Sequence, residues 1–293
     1  MRISRMDLDD VGASPQRIAE AVISQIPDLP IPIPVEEIAC ALGIVEIRIE
    51  PIKSFEGALI TTGPEKAEGS ILVNARSHPR RRRYTIGHEL GHFLHPLHVP
   101  PAGGFHCTSD DMSRNNSAGV DTRIRQEIQA NAFAAELMLP RSVFLRDLKR
   151  MRGLDLEHIT ELGNKYQVSK EAVARRYVHF QEEPSAIVFS HKGRVRYFCK
   201  HDDFPWLDVR SGAPVPAPSI AAASVGSATR ATDWSEIDPS VWLSRPNQRG
   251  MCEQTLVQQA GYRMTLQALD DDSSEDEDEP ALEESWTPKF RRK

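Results

Sequence analysis

The chain has 293 residues, 40% apolar and 27% charged, with a formal net charge of −6. Those proportions describe one or two globular domains with real cores, and no apolar run reaches the roughly 18–20 residues of a membrane span. The start lacks an apolar export stretch, and Cys40, Cys107, Cys199 and Cys252 are scattered without a C-x-x-C pair; we expect a reducing cytoplasm, no disulfide framework, no thiolate zinc site, and cysteines that serve as small, partly buried hydrophobes.

In chain order, Ser14 followed by Pro15 reads as an N-cap with proline at the first helical position. Pro27, Pro30, Pro32 and Pro34 break the helical text before a short helix over 35–42, which Gly43 ends. Residues 45–49 alternate apolar and charged, as a half-buried strand does, and 57–62 and 70–74 are two further short strands. Residues 80–95 read as a strong helix stopped by Pro96, 100–122 as a polar loop, and 123–139 as a second strong helix stopped by Pro140. Residues 154–180 form two helices with a break at Gln167, Val168 and Ser169. Residues 186–190 and 194–198 make a hairpin, 213–231 a Pro- and Ala-rich loop, and 253–259 with 262–269 a second hairpin. Helices come mostly first and antiparallel strands later, so the fold class is α+β.

The chemistry lies in His88-Glu89-Leu90-Gly91-His92, inside the first strong helix. Residues four apart stack on one helical face, so both imidazoles can reach one cation, and Zn²⁺ accepts two such nitrogens as tetrahedral corners. Glu89 is then placed to act as general base on a water without binding metal. Gly91 costs about 1 kcal/mol in a helix interior, which a closely packed partner would justify.

A catalytic site needs a third ligand and an open fourth position. His98 has the metzincin spacing from His88, but His95 and Pro96 replace the turn that spacing requires. Glu127 is the stronger candidate. At about 100° per residue it shares a face with Ala130, Asn131, Ala134 and Met138, whose small residues would let the helix approach Gly91; Asn131 could orient its carboxylate, and Glu136 falls on the opposite face as a solvated charge.

The run Arg83-Tyr84-Thr85-Ile86-Gly87-His88-Glu89-Leu90-Gly91-His92, followed by Glu127-Ile128-Gln129-Ala130-Asn131-Ala132-Phe133-Ala134 and on to Pro140, resembles the ImmA/IrrE family of regulatory metallopeptidases. The resemblance covers about residues 15–180 well and the rest loosely. It implies His88, His92 and Glu127 as metal ligands and Glu89 as general base. It also implies a zincin-like helical core on a small sheet, holding Zn²⁺ or Mn²⁺, and a helix-turn-helix repressor of the XRE type as substrate. Cutting such a repressor would release genes for stress, DNA damage or a mobile element. By analogy with zincins, substrate would lie as an added strand along 57–62 or 70–74. Tyr84, His95 and His98 are candidate transition-state donors.

Four consecutive arginines, Arg80 to Arg83, open the metal helix and read as a solvated basic turn or a docking point for an acidic segment. The helix pair at 154–180 resembles a helix-turn-helix, with Lys170, Arg175 and Arg176 as possible nucleic-acid or partner contacts; its modest charge makes DNA contact the less favoured use. The expected domains are a peptidase core at 1–152, the helix-turn-helix-like region at 153–183, a strand-rich, sensor-like region at 184–269 and a tail at 270–293. Trp206, Trp234 and Trp242 read as core or interface anchors. Ten acidic and no basic residues fall between 270 and 284, which leaves the rest of the chain at +4, with 36 basic against 32 acidic residues. Such a segment is expected to be disordered, ahead of a Trp-x-x-x-Phe element at 286–290. The competing reading is a non-catalytic repressor- or DNA-binding regulator with a structural metal.

Overall fold

A computed structural model of the chain describes residues 3–101, 104–113, 121–223, 230–245 and 249–270. The acidic stretch past 270 and the element at 286–290 lie outside the described residues. Two compact units are present: Met1–Glu183 with Cys199–Asp202, and Pro184–Phe198 with Asp203–Lys293. Among the described residues no helix is long and apolar enough to cross a membrane.

The first unit begins with helix α1 (Pro15–Ser24), where the Ser14 hydroxyl accepts from the Arg17 amide and Pro15 sits in the first turn. After the proline break come α2 (Val35–Ala41) and Gly43, which at φ 108° takes the left-handed turn closed to most residues. Strands β1 (Ile44–Glu50), β2 (Gly57–Thr61), β3 (Gly69–Asn74) and β4 (Phe105–Cys107) form a sheet in the order β1-β3-β2-β4. β1 runs parallel to β3, while β2 is antiparallel to both β3 and β4. Helix α3 (Pro79–Leu94) packs on this sheet, and α4 (Thr122–Met138) packs on α3. Then follow α5 (Arg141–Leu148), α6 (Leu156–Tyr166) and α7 (Lys170–Phe180).

Three features depart from expectation. The loop expected at 100–122 contains β4, a strand too short to show periodicity; its register comes from β2, with Leu59 opposite Phe105 and Gly57 opposite Cys107. Consequently neither β2 nor β3 is a sheet edge; β1 and β4 are. On β1, the apolar alternation does not mean burial: Val45 and Ile49 are exposed.

Small residues set the α3–α4 distance. A Cβ at Gly91 would stand 3.1 Å from Phe133 Cδ1 and 3.2 Å from the Ala130 Cα and carbonyl oxygen. At Gly87 it would meet the Ala134 methyl at 3.6 Å. Backbone contact this close fixes where side chains from the two helices meet.

The second unit is a five-stranded sheet in the order β6-β5-β9-β8-β7, built from β5 (Ser185–His191), β6 (Arg194–Lys200), β7 (Ser235–Ile237), β8 (Met251–Val257) and β9 (Tyr262–Leu269). A short helix α8 (Ile220–Ala223) interrupts the expected loop. Its core joins Ala186, Val188, Phe204, Leu207, Trp242 and Met251. Trp242 is a core anchor, whereas Trp206 is largely exposed. Both units mix helix and sheet, so the chain is α+β.

Candidate metal centre

Helix α3 starts at His78, whose side chain accepts from the Arg80 amide, with Pro79 in the first turn. From Thr85 to Phe93 every residue is buried. A helix buried on all sides must satisfy each polar group it carries. His88 and His92 do so against α4 and each other. His88 Nε2 lies 3.2 Å from His92 Nε2 and 3.2 Å from Glu127 Oε2, and His92 Nε2 lies 3.5 Å from the same carboxylate oxygen. Glu127 reaches this point from α4, which Asp121 caps by accepting from the Arg123 amide.

The surrounding hydrogen bonds fix the ring tautomers. Asn131 Nδ2 donates to the Asp111 carbonyl, so its Oδ1 is an acceptor. That oxygen takes the Tyr84 hydroxyl at 2.9 Å and faces His88 Nδ1 at 2.9 Å. His88 therefore donates from Nδ1 and presents a bare Nε2 to the cluster. A parallel relay runs through His98, whose Nε2 donates to Gln129 Oε1 at 3.0 Å; its bare Nδ1 accepts from His92 Nδ1 at 3.1 Å. His92 Nε2 is likewise left bare. Two imidazole lone pairs 3.2 Å apart repel unless a cation lies between them.

The spacing suits such a cation. Bonds of about 2.0–2.1 Å in a tetrahedron give ligand–ligand edges of about 3.3 Å, and the three edges among His88, His92 and Glu127 measure 3.2, 3.2 and 3.5 Å. Burial brings the His92 pKa down to about 4, so this ring is neutral and ligand-competent at neutral pH.

Glu89 is fully buried, and neither carboxylate oxygen has a hydrogen-bond partner among the described residues. It points toward β2, where a Cβ at Gly57 would come within 2.7 Å of Oε1. Glycine there makes room for the carboxylate. Burial raises the Glu89 pKa well above the ordinary value; the Cys107 thiol lowers it somewhat, and the Glu127 charge adds to the rise.

Cys107 is the residue that sequence reasoning missed. It is buried, as expected of a small hydrophobe, and its Sγ lies 3.7 Å from His92 Nε2 and 4.0 Å from Glu127 Oε1. The donor atoms of His88, His92, Cys107 and Glu127 all lie within 4.8 Å of one another. No sequence signal marks it: strand Phe105–Cys107 is too short to show a period, and its buried, exposed, buried alternation emerges only in the fold. Lys66 was missed too. It is buried, with Nζ donating to the His92 and His95 carbonyls at 2.9 and 2.6 Å, where a cation complements the end of α3. Burial and the nearby Arg5 bring its pKa down to about 8.

The remaining candidates take other places. Tyr84 is tied to Asn131. His98 supports His92 from behind through its Nδ1, so it is not grouped with the metal donors. His95 stacks on His98 and its Nε2 donates to the Ala13 carbonyl at 2.9 Å. Glu136 is buried rather than solvated: it accepts from the Arg141 amide and pairs with Arg176. Arg176 also donates to the Leu139 carbonyl, so its guanidinium is engaged inside the unit. Lys170 and Arg175 are half-buried on α7. In the arginine run, Arg80 donates to the Val168 carbonyl and Asn164 Oδ1, and Arg83 to the Ile33 carbonyl, so at least these two do structural rather than docking duty.

Comparison with known proteins agrees with this centre. Residues 42–177 match the family model described as Peptidase_M78, the IrrE N-terminal-like domain. The chain is 26% identical over 150 residues to the radiation response metalloprotease IrrE of Deinococcus radiodurans; the match takes in 50% of this chain and 40% of that protein, so the chain spans well under half of its relative. A solved Mycobacterium tuberculosis transcriptional regulator superposes with a TM-score of 0.55 at 17% identity, over 87% of this chain and 75% of that one, which is a likeness of fold. Residues 42–177, just under half of the chain and the part that carries every donor of the centre, thus match the IrrE N-terminal-like domain, a match that supports a metallopeptidase of the ImmA/IrrE family.

Proposed function

We propose that the protein is a regulatory zinc metallo-endopeptidase that hydrolyses a peptide bond in a helix-turn-helix repressor of the XRE type, relieving repression of stress, DNA-damage or mobile-element genes. The observation that carries this reading is Glu89: a fully buried carboxylate whose oxygens have no hydrogen-bond partner among the described residues, beside three bare donors. A structural metal site has no use for it, and burying an unsatisfied carboxylate costs several kcal/mol.

In this reading His88, His92 and Glu127 hold Zn²⁺, or Mn²⁺ in its place. The cation would supply Lewis acidity toward the scissile carbonyl and make a water more acidic. Glu89 takes the proton of the attacking water and delivers it to the leaving amine, a task that its raised pKa suits. Asn131 and His98 keep the two rings in the ligating tautomer. The zincin-like core at 1–152 performs the cut; the pair α6–α7 within 153–183 is a helix-turn-helix-like element that docks the repressor rather than reading DNA, since Arg176 is engaged internally. Residues 184–269 act as a sensor-like region, and the setting is the cytoplasm.

One observation favours a second reading, a non-catalytic repressor-binding module with a structural metal: Cys107 brings the protein donors to four. Incubating the protein and Zn²⁺ or Mn²⁺ with a helix-turn-helix repressor encoded beside it, followed by mass spectrometry, separates the two. A defined pair of fragments supports the peptidase. A stable complex with uncut repressor supports the module.

A further inference from the structure

The fourth corner of the centre is where a catalytic metal site keeps an open position. Here Cys107 Sγ lies beside the three donors. With one bond of about 2.3 Å to sulfur and one of about 2.0–2.1 Å to nitrogen, a tetrahedral edge is about 3.6 Å, and Sγ stands 3.7 Å from His92 Nε2. The backbone fixes it there. Cys107 lies directly opposite Gly57 in the sheet, and the Glu56 amide donates to its carbonyl at 2.9 Å. The thiol is fully buried and forms no disulfide. Glu89, fully buried, lies against the same Gly57.

We propose that Cys107 is the fourth protein ligand of the metal, and that edge strand β4, which carries it, bolts the resting centre shut. This rests on the metallopeptidase reading above. As the sulfur–metal bond forms, the thiol gives its proton to solvent. Opening is the reverse: that bond breaks, Sγ takes up a proton, and the vacated corner becomes available to water beside Glu89. The resting protein is then latent until β4 shifts.

X-ray absorption at the zinc edge tests this on the full-length, zinc-loaded protein. We expect one sulfur at about 2.3 Å with three nitrogen or oxygen neighbours. Cys107→Ser should keep about one zinc per chain, lose the sulfur shell and weaken zinc affinity roughly tenfold or more. A wild-type shell of nitrogen and oxygen only, with zinc still lost in His88→Ala, overturns the role of Cys107 and leaves the peptidase reading standing. Failure of the wild type to bind stoichiometric zinc overturns both. Should Cys107→Ser not fold, the wild-type spectrum alone decides.

Discussion

The smallest device in the centre is an amide. Asn131 is oriented by the Asp111 carbonyl, and its Oδ1 in turn orients His88. Removing it frees the His88 ring to rotate or to hold its proton on Nε2. Asn131→Ala should therefore lower zinc affinity about 10–100-fold, measured by competition with a chromophoric chelator; unchanged affinity would contradict the tautomer argument. At this scale much of the site was legible. His88, Glu89 and His92 follow from helical spacing alone, because a fixed rise and rotation convert sequence distance into side-chain proximity. Glu127 was one of two readable candidates, singled out by the small-residue face it shares. Cys107 was not legible, since its place depends on strand pairing between β2 and β4 that no local pattern encodes.

At the scale of elements, the α3–α4 contact holds the donors in register. Gly91 has backbone atoms of Ala130 at 3.2 Å from where a Cβ would sit. Backbone cannot swing aside as a side-chain tip does. Gly91→Ala should destabilise the first unit by about 1–3 kcal/mol despite the better helix propensity of alanine, read from urea unfolding; equal or greater stability would show that the helices have slack. The α4–α7 contact makes a second prediction. Arg176 covers the buried Glu136, so Arg176→Ala strands a carboxylate and should cost about 3 kcal/mol, less when combined with Glu136→Gln. Were Arg176 a free nucleic-acid contact, the same change would leave stability untouched. The helices themselves were readable from caps and prolines. The solvated Glu136 was misjudged because helical periodicity assigns faces without saying how many of them are covered; α4 is covered on both.

Across the whole molecule, a first unit rich in helices around a four-stranded sheet is followed by a strand-rich second unit, a shift visible in the sequence as a change of hydrophobic period. The packing of the second unit was not visible, because its core residues are spread over short strands and loops. Among its described residues that unit buries the acid Glu253, which accepts from the Ser219 hydroxyl, the Ile220 amide and the Trp242 indole. Burial raises its pKa, with those hydrogen bonds working against the rise. A pKa higher in the folded state means that the folded unit binds the proton more tightly. The resulting stability is complete below the ordinary glutamate value of 4.5 and is lost as pH climbs through the folded one. Glu253→Gln keeps an acceptor and cannot ionise. Its stability relative to wild type, followed by tryptophan emission, should therefore improve as pH rises above about 4.5; a constant difference would contradict the argument.

The central claim is that Glu89 performs proton transfer at a centre it does not itself build. Metal content and cleavage of the repressor, measured on one preparation of Glu89→Gln, address it most directly. The account predicts about one metal ion per chain, as in the wild type, with cleavage reduced by about 10²–10⁴-fold. Cleavage at the wild-type rate in a fully metallated Glu89→Gln protein would contradict it.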